Sequence, residues 1–102
     1  MSYRVFYDPE VHEDIQKVVG YYNNKTKNKD LGKRFFKLVH SELKSLSTRA
    51  LHHQIRYDNI RLLLIPKFPY AAHYRVLKEQ KVVIVEAIIG TGEDPQDFRT
   101  KE

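Results

Sequence analysis

Cysteine is absent from this 102-residue chain, which excludes disulfides, thiolate metal sites and cysteine nucleophiles. No apolar run approaches the roughly 18 residues of a membrane-spanning helix, so none is expected. An apolar leader is missing as well, because the chain opens on the strand-like Tyr3-Arg4-Val5-Phe6-Tyr7; a cytoplasmic protein is expected. Repeats, low-complexity tracts and linkers are missing too, which predicts one domain over residues 1–102. Gly90-Thr91-Gly92 is too closely spaced for a phosphate loop, and no long helix follows it. His52-His53 lack a carboxylate partner at metal-ligand spacing, and His12 and His40 have no histidine one helical turn away. All four read as surface residues, and no metal is expected.

What is present is an ordinary hydrophobic fraction of 41%, enough for a core, and a formal charge of +5 with a pI near 9.5. That balance favours a polyanionic partner: nucleic acid, an acidic protein or an anionic surface. It is also common among small proteins, so charge alone does not choose a function.

Hydrophobic spacing predicts the architecture. Residues 2–7 alternate as a strand. Asp8-Pro9-Glu10 is a helix start, with Asp8 as cap and Pro9 in the first turn. Val11, Ile15, Val18, Val19 and Tyr22 then fall on one helical face, Tyr22 as a core tyrosine beside a more exposed Tyr21. A polar turn is expected within Asn23–Asp30. A second helix follows, with Leu31, Phe35, Leu38, Val39, Leu43 and Leu46 on one face and Lys33, Lys37 and Lys44 opposite. Ser47-Thr48-Arg49 closes this hairpin. Residues 50–58 are ambiguous, with Ile55-Arg56-Tyr57 as a short strand and Asp58-Asn59 as a tight turn. Strands are predicted at 60–65, 70–77 and 82–89, and Asp94-Pro95 begins a last helical turn holding Phe98. The fold class is α+β: an N-terminal strand, an antiparallel two-helix hairpin, then a mainly antiparallel sheet of three or four strands with the helices on one face.

Alternation along the strands selects the candidate site. His73 and Arg75 share a face, opposite Ala72, Tyr74 and Val76. Val83, Val85, Ala87 and Ile89 form one set, and Ile84, Glu86 and Ile88 the other, with Glu86 marking the wetter side. Arg61 falls with Leu63 and Ile65, and Arg4 with Phe6. With the strands aligned, Arg4, Arg61, His73, Arg75 and Glu86 converge into a basic surface holding one carboxylate, a setting suited to phosphate. The plain structural alternative is that Arg61 or Arg75 pairs with Glu86 across the sheet, contributing about 0.2–1 kcal/mol.

These residues, with Val5-Phe6-Tyr7-Asp8-Pro9-Glu10, Tyr21-Tyr22, Gly32-Lys33-Arg34-Phe35, Ile60-Arg61, Phe68-Pro69-Tyr70, Tyr74-Arg75-Val76, Asp94-Pro95 and Phe98-Arg99, occur in an order and spacing that resembles the RelE/ParE superfamily. These are toxins of type II toxin–antitoxin pairs, and the likeness is strongest to members called plasmid-stabilisation proteins. It spans nearly the whole chain. The resemblance implies a cognate antitoxin that wraps and neutralises the toxin in a hetero-oligomer, with no membrane and no cofactor. RelE-like members cut messenger RNA in the ribosome without metal, whereas ParE-like members inhibit DNA gyrase without chemistry. It also implies that Arg75 binds phosphate and that Arg61 and Arg99 match basic positions. Gly90 stands where many relatives carry a strand-end histidine, and Gly92-Glu93 where they carry an arginine. His73 and Glu86 are then the candidates for proton transfer. Three functions follow: a ribosome-dependent mRNA endonuclease, a gyrase inhibitor, or a member that only binds its antitoxin.

Overall fold

The computed structural model describes residues 2–25 and 30–92. In chain order it contains β1 (Arg4–Tyr7), α1 (Pro9–Lys25), α2 (Asp30–Lys44), α3 (Leu46–Arg49), β2 (Ile55–Tyr57), β3 (Ile60–Leu64), β4 (Tyr70–Leu77) and β5 (Val82–Gly90). The expected helical turn at Asp94-Pro95 with Phe98 lies outside the described residues, as do residues 26–29 of the expected polar turn.

Local chemistry accounts for the element boundaries. Asp8 Oδ1 accepts the Glu10 amide at 2.9 Å and so caps α1. Val11, Ile15 and Val18 are buried along the predicted stripe. Gly32 lets α2 approach α1 closely, because a Cβ there would lie 2.6 Å from Asn23 Oδ1. Leu46 belongs to the short α3 rather than to α2 and is fully buried. Asp58 and Asn59 both adopt positive φ, 42° and 65°, and join Tyr57 to Ile60 as a two-residue hairpin turn.

Among the described residues the sheet has five strands in the order β1-β5-β4-β3-β2, the N-terminal strand joining the four that follow the helices. The helices carry the chain across the sheet, so β1 returns parallel to β5, while the remaining pairs are antiparallel. Ile55–Tyr57 supplies the fifth strand. The helices cover one face. There Phe35, Val39, Leu43, Leu63, Ile65, Ala72, Tyr74, Val83, Val85 and Ile88 form the core. Phe35 stands edge-on to Phe68 and Tyr70, with centroids 5.2 and 5.5 Å away, closing one end of that core.

One departure changes which residues share a face. Tyr74 pairs with Val85 but His73 pairs with Ala87, so Glu86 is an extra residue in β5. This bulge reverses the alternation beyond it. Val83 and Val85 face the helices as expected, but so does Ile88, while Ala87 and Ile89 pass to the other face beside His73 and Ala71. β1 has ended at Tyr7, opposite Val85, so no strand of the described residues meets the Ile88 amide on that side. Asp14 of α1, itself buried, accepts that amide through Oδ2 at 3.0 Å. Burial raises the Asp14 pKa from its ordinary value, outweighing the Ile88 amide and Lys17, which lower it.

Asp14→Ala leaves a buried amide unpaired and should cost about 1–3 kcal/mol in urea denaturation. Because the folded-state pKa is raised, the Asp14 contribution is fullest in acid, below the unfolded value, and is lost as pH rises through the folded value. The non-titrating Asp14→Asn should therefore gain stability relative to wild type between about pH 4 and neutrality. A constant difference across that range would contradict this.

Candidate functional site

The face away from the helices carries most of the residues singled out in the sequence. Cross-strand register sets Tyr57 beside Ile60, Ile60 beside Arg75, Arg75 beside Ile84 and Ile84 beside Phe6. One row of side chains therefore crosses all five strands. At about 4.8 Å per strand, Tyr57 and Arg75 stand roughly 10 Å apart at the backbone. His73 lies one position along β4 on the same face, between Leu62 and Ala87.

Arg75 Nε donates to Glu86 Oε2 at 3.0 Å, with the arginine side chain 37% exposed and the glutamate 16%. The structural alternative weighed for Arg75 is thus realised. The pair leaves both Nη nitrogens of Arg75 without a bond to any described residue. Alternation from Val85 already sets Glu86 on the face of Arg75, and the bulge at this residue changes the faces only of those that follow it. His73 is 3% exposed, and its Nδ1 lies 2.9 Å from the Tyr57 hydroxyl. Tyr57 itself is half-buried. At the opposite end of the row Arg4 lies 5.4 Å over the ring of Phe6, which is 47% exposed. The face is less open than expected, since Ile60, Ala71, Ala87 and Ile89 on it are all buried.

Arg61 does not join this group. It pairs with Tyr74 on the helix side, and its Nη1 donates to the carbonyl of His53. The sequence expectation that five residues converge is corrected to four, Arg4, His73, Arg75 and Glu86. The cause is simple alternation, which puts Arg61 with Leu63 and Ile65 in the layer that the helices cover. Arg99 and Glu93 lie outside the described residues. Among the described residues no cluster of three or more histidine, aspartate or glutamate side chains is arranged to hold a metal.

Sequence reading missed two contributors. Tyr57 sat in a segment left ambiguous, although the Asp58-Asn59 turn was recognised. A two-residue turn there fixes Tyr57 opposite Ile60 and so on the face of Arg75. Asp14 was also missed. It occupies the stripe Val11, Asp14, Ile15, Val18, where an acid at core spacing signals a buried carboxylate with a partner.

No family model matches the chain, and no curated protein matches it. Solved structures do. The chain is similar to a chromosomal ParDE toxin–antitoxin system from P. aeruginosa, with a TM-score of 0.74 at 15% identity, covering 87% of this chain and 96% of that one. It is similar to the toxin–antitoxin complex RelBE2 of Mycobacterium tuberculosis, with a TM-score of 0.59 at 15% identity, covering 88% and 99%. It is also similar to a mutant of the E. coli toxin RelE in the free state, with a TM-score of 0.57 at 18% identity, covering 97% and 93%. Helix hairpin, five-stranded mixed sheet and structural likeness agree: the chain has the α+β fold of the RelE and ParE toxins.

Proposed function

We propose that the chain, as one domain over residues 1–102, is the toxin of a type II toxin–antitoxin pair. It acts in the cytoplasm, is neutralised by a cognate antitoxin in a hetero-oligomer, and inhibits translation by cutting messenger RNA in the ribosome. The observation that carries this reading is Arg75. Its guanidinium is fixed through Nε by Glu86 and presents Nη donors from a sheet face that also holds the Tyr57–His73 pair.

The chemistry follows from that placement. The RNA 2′-hydroxyl attacks the adjacent phosphorus, a bond forms to the 2′-oxygen, and the bond to the 5′-oxygen breaks. Negative charge grows on the non-bridging oxygens, where the Arg75 Nη donors strengthen their hold. One proton leaves the 2′-hydroxyl and one joins the departing oxygen, and such transfers supply typically about 10²–10⁴-fold. His73 is too enclosed to meet RNA directly, so it exchanges protons through the Tyr57 phenol. Glu86 orients Arg75 and serves as the alternative proton carrier. Arg4, with Phe6 beneath it, holds a flanking phosphate, as Arg99 does in the family resemblance.

A second reading, non-enzymatic inhibition of DNA gyrase, is favoured by the higher TM-score with the ParDE structure, 0.74 against 0.59 and 0.57 for the two RelE-type structures. Partial neutralisation of Arg75 by Glu86 also suits a surface that performs no chemistry. On the third reading, retained antitoxin binding alone, the sheet face has no target.

Tightly induced expression in a bacterial host lacking the antitoxin gene should arrest growth, with protein synthesis stopping before DNA synthesis. DNA synthesis stopping first would select gyrase, and normal growth with folded protein would select antitoxin binding alone. Arg75→Ala should abolish arrest while costing no more than about 1 kcal/mol of stability, because the ion pair is partly exposed. Glu86→Gln releases Arg75 from its counter-charge. Fluorescence anisotropy should show it binding single-stranded RNA several-fold more tightly than wild type at low salt, with the gain shrinking as salt rises.

A further inference from the structure

A second cluster of cations lies away from this face, at the outer edge of β3. β2 pairs with β3 only as far as Ile55 opposite Arg61, so the edge of β3 from Leu62 to Leu64 continues without it. The segment between α3 and β2 borders that edge and forms a cleft of about 440 Å³, lined among others by Arg49, His52, His53, Arg56 and Glu42.

The cleft is held from below by two bonds. The Tyr74 hydroxyl donates to the Ala50 carbonyl at 2.8 Å, and Arg61 donates to the His53 carbonyl. The His53 ring stands edge-on to Tyr74, with centroids 6.3 Å apart, and edge-on to His52 at 5.2 Å. Backbone and imidazole are therefore fixed before any ligand arrives. His53 Nε2 is buried and has no hydrogen-bond partner, a condition that calls for a missing partner. Arg49 and Arg56 are exposed and form no ion pair among the described residues. Among the described residues Glu42 is the only acid lining the cleft.

We propose that this cleft binds a phosphate group, with Arg49 and Arg56 as charged forks and the protonated His53 ring, which lines the cleft, adding a third positive charge. Two planar guanidiniums with unused donors suit phosphate oxygens better than a single ammonium does. The phosphate belongs either to an RNA backbone or to a free or terminal phosphate. This site does not depend on the sheet face cutting RNA. It is also pH-sensitive. The groups around His53 are Glu42 from α2, Arg49 from α3, His52 beside it and Arg61 from β3. Burial, His52, Arg49 and Arg61 lower its pKa from the ordinary value, and Glu42 opposes them. A bound anion favours the imidazolium, so binding tightens as pH falls.

The test is NMR titration of the full chain with inorganic phosphate, then with a single-stranded oligouridine bearing or lacking a 5′-phosphate. Each is compared with sodium chloride at matched ionic strength. Saturable shifts are expected in residues 49–56, with the His53 titration moving upward, and these shifts should persist in Arg75→Ala. Arg49→Gln and Arg56→Gln, both at exposed positions, should each weaken binding roughly tenfold or more. Binding that requires inorganic or 5′-terminal phosphate would assign a free or terminal phosphate, and equal binding of both oligonucleotides would assign the RNA backbone. Shifts reproduced by chloride, no shift at His53, or affinity unchanged in both arginine variants would each overturn the proposal.

Discussion

The rest of this structure depends on the extra residue in β5 and on the carboxylate that holds it. Without Glu86 as a bulge, strict alternation would send Ala87 and Ile89 toward the helices and Ile88 away from them. The core is built the other way, with Ile88 among Val83, Val85 and Tyr74. The bulge also leaves the Ile88 amide beyond the end of β1. Asp14 reaches it from α1, so the helix layer and β5 are joined at the point of irregularity. Keeping an acid there is costly in desolvation, as the upward shift of its pKa shows. An apolar core residue would leave the amide unpaired, and that is worse.

Glu86 sets the electrostatics of the candidate site. It fixes Arg75 through one nitrogen and leaves the other two without a partner among the described residues. A free arginine on a sheet face would bind anions more tightly but with less defined orientation. One that is half-neutralised trades affinity for geometry. His73 lies beside it in a nearly dry position, with the Tyr57 phenol at its Nδ1. Arginine and imidazole–phenol pair thus sit on one face, with no helix of the described residues above them. The second cationic cluster, by contrast, rests on Arg61 and Tyr74, which point to the helix side. Residues next to one another in β3 and β4 therefore serve opposite faces.

Much of the fold was legible because its signals are local. The apolar stripes of α1 and α2, the Asp8 cap, the strands at 60–64, 70–77 and 82–90 and the turn at Asp58-Asn59 each follow from spacing or from the backbone preference of a few residues. The parallel placement of β1 against β5 was not legible, since it depends on where two helices deliver the chain. Half of the site was readable on the same basis. His73 and Arg75 share a face wherever β4 forms, whereas the partners of Arg75 and His73 depend on register between strands far apart in sequence.

The sequence by itself determined the α+β class, the helix hairpin and the basic character of the surface, because periodicity and charge are properties of short segments. Tertiary structure alone decided that Ile88 joins the core, that Ala87 and Ile89 pass to the face of His73, and that Asp14 serves a strand amide. The physical reason is the two-residue period of a strand. One inserted residue exchanges the faces of everything beyond it, and only the pairing of whole strands shows where that residue lies.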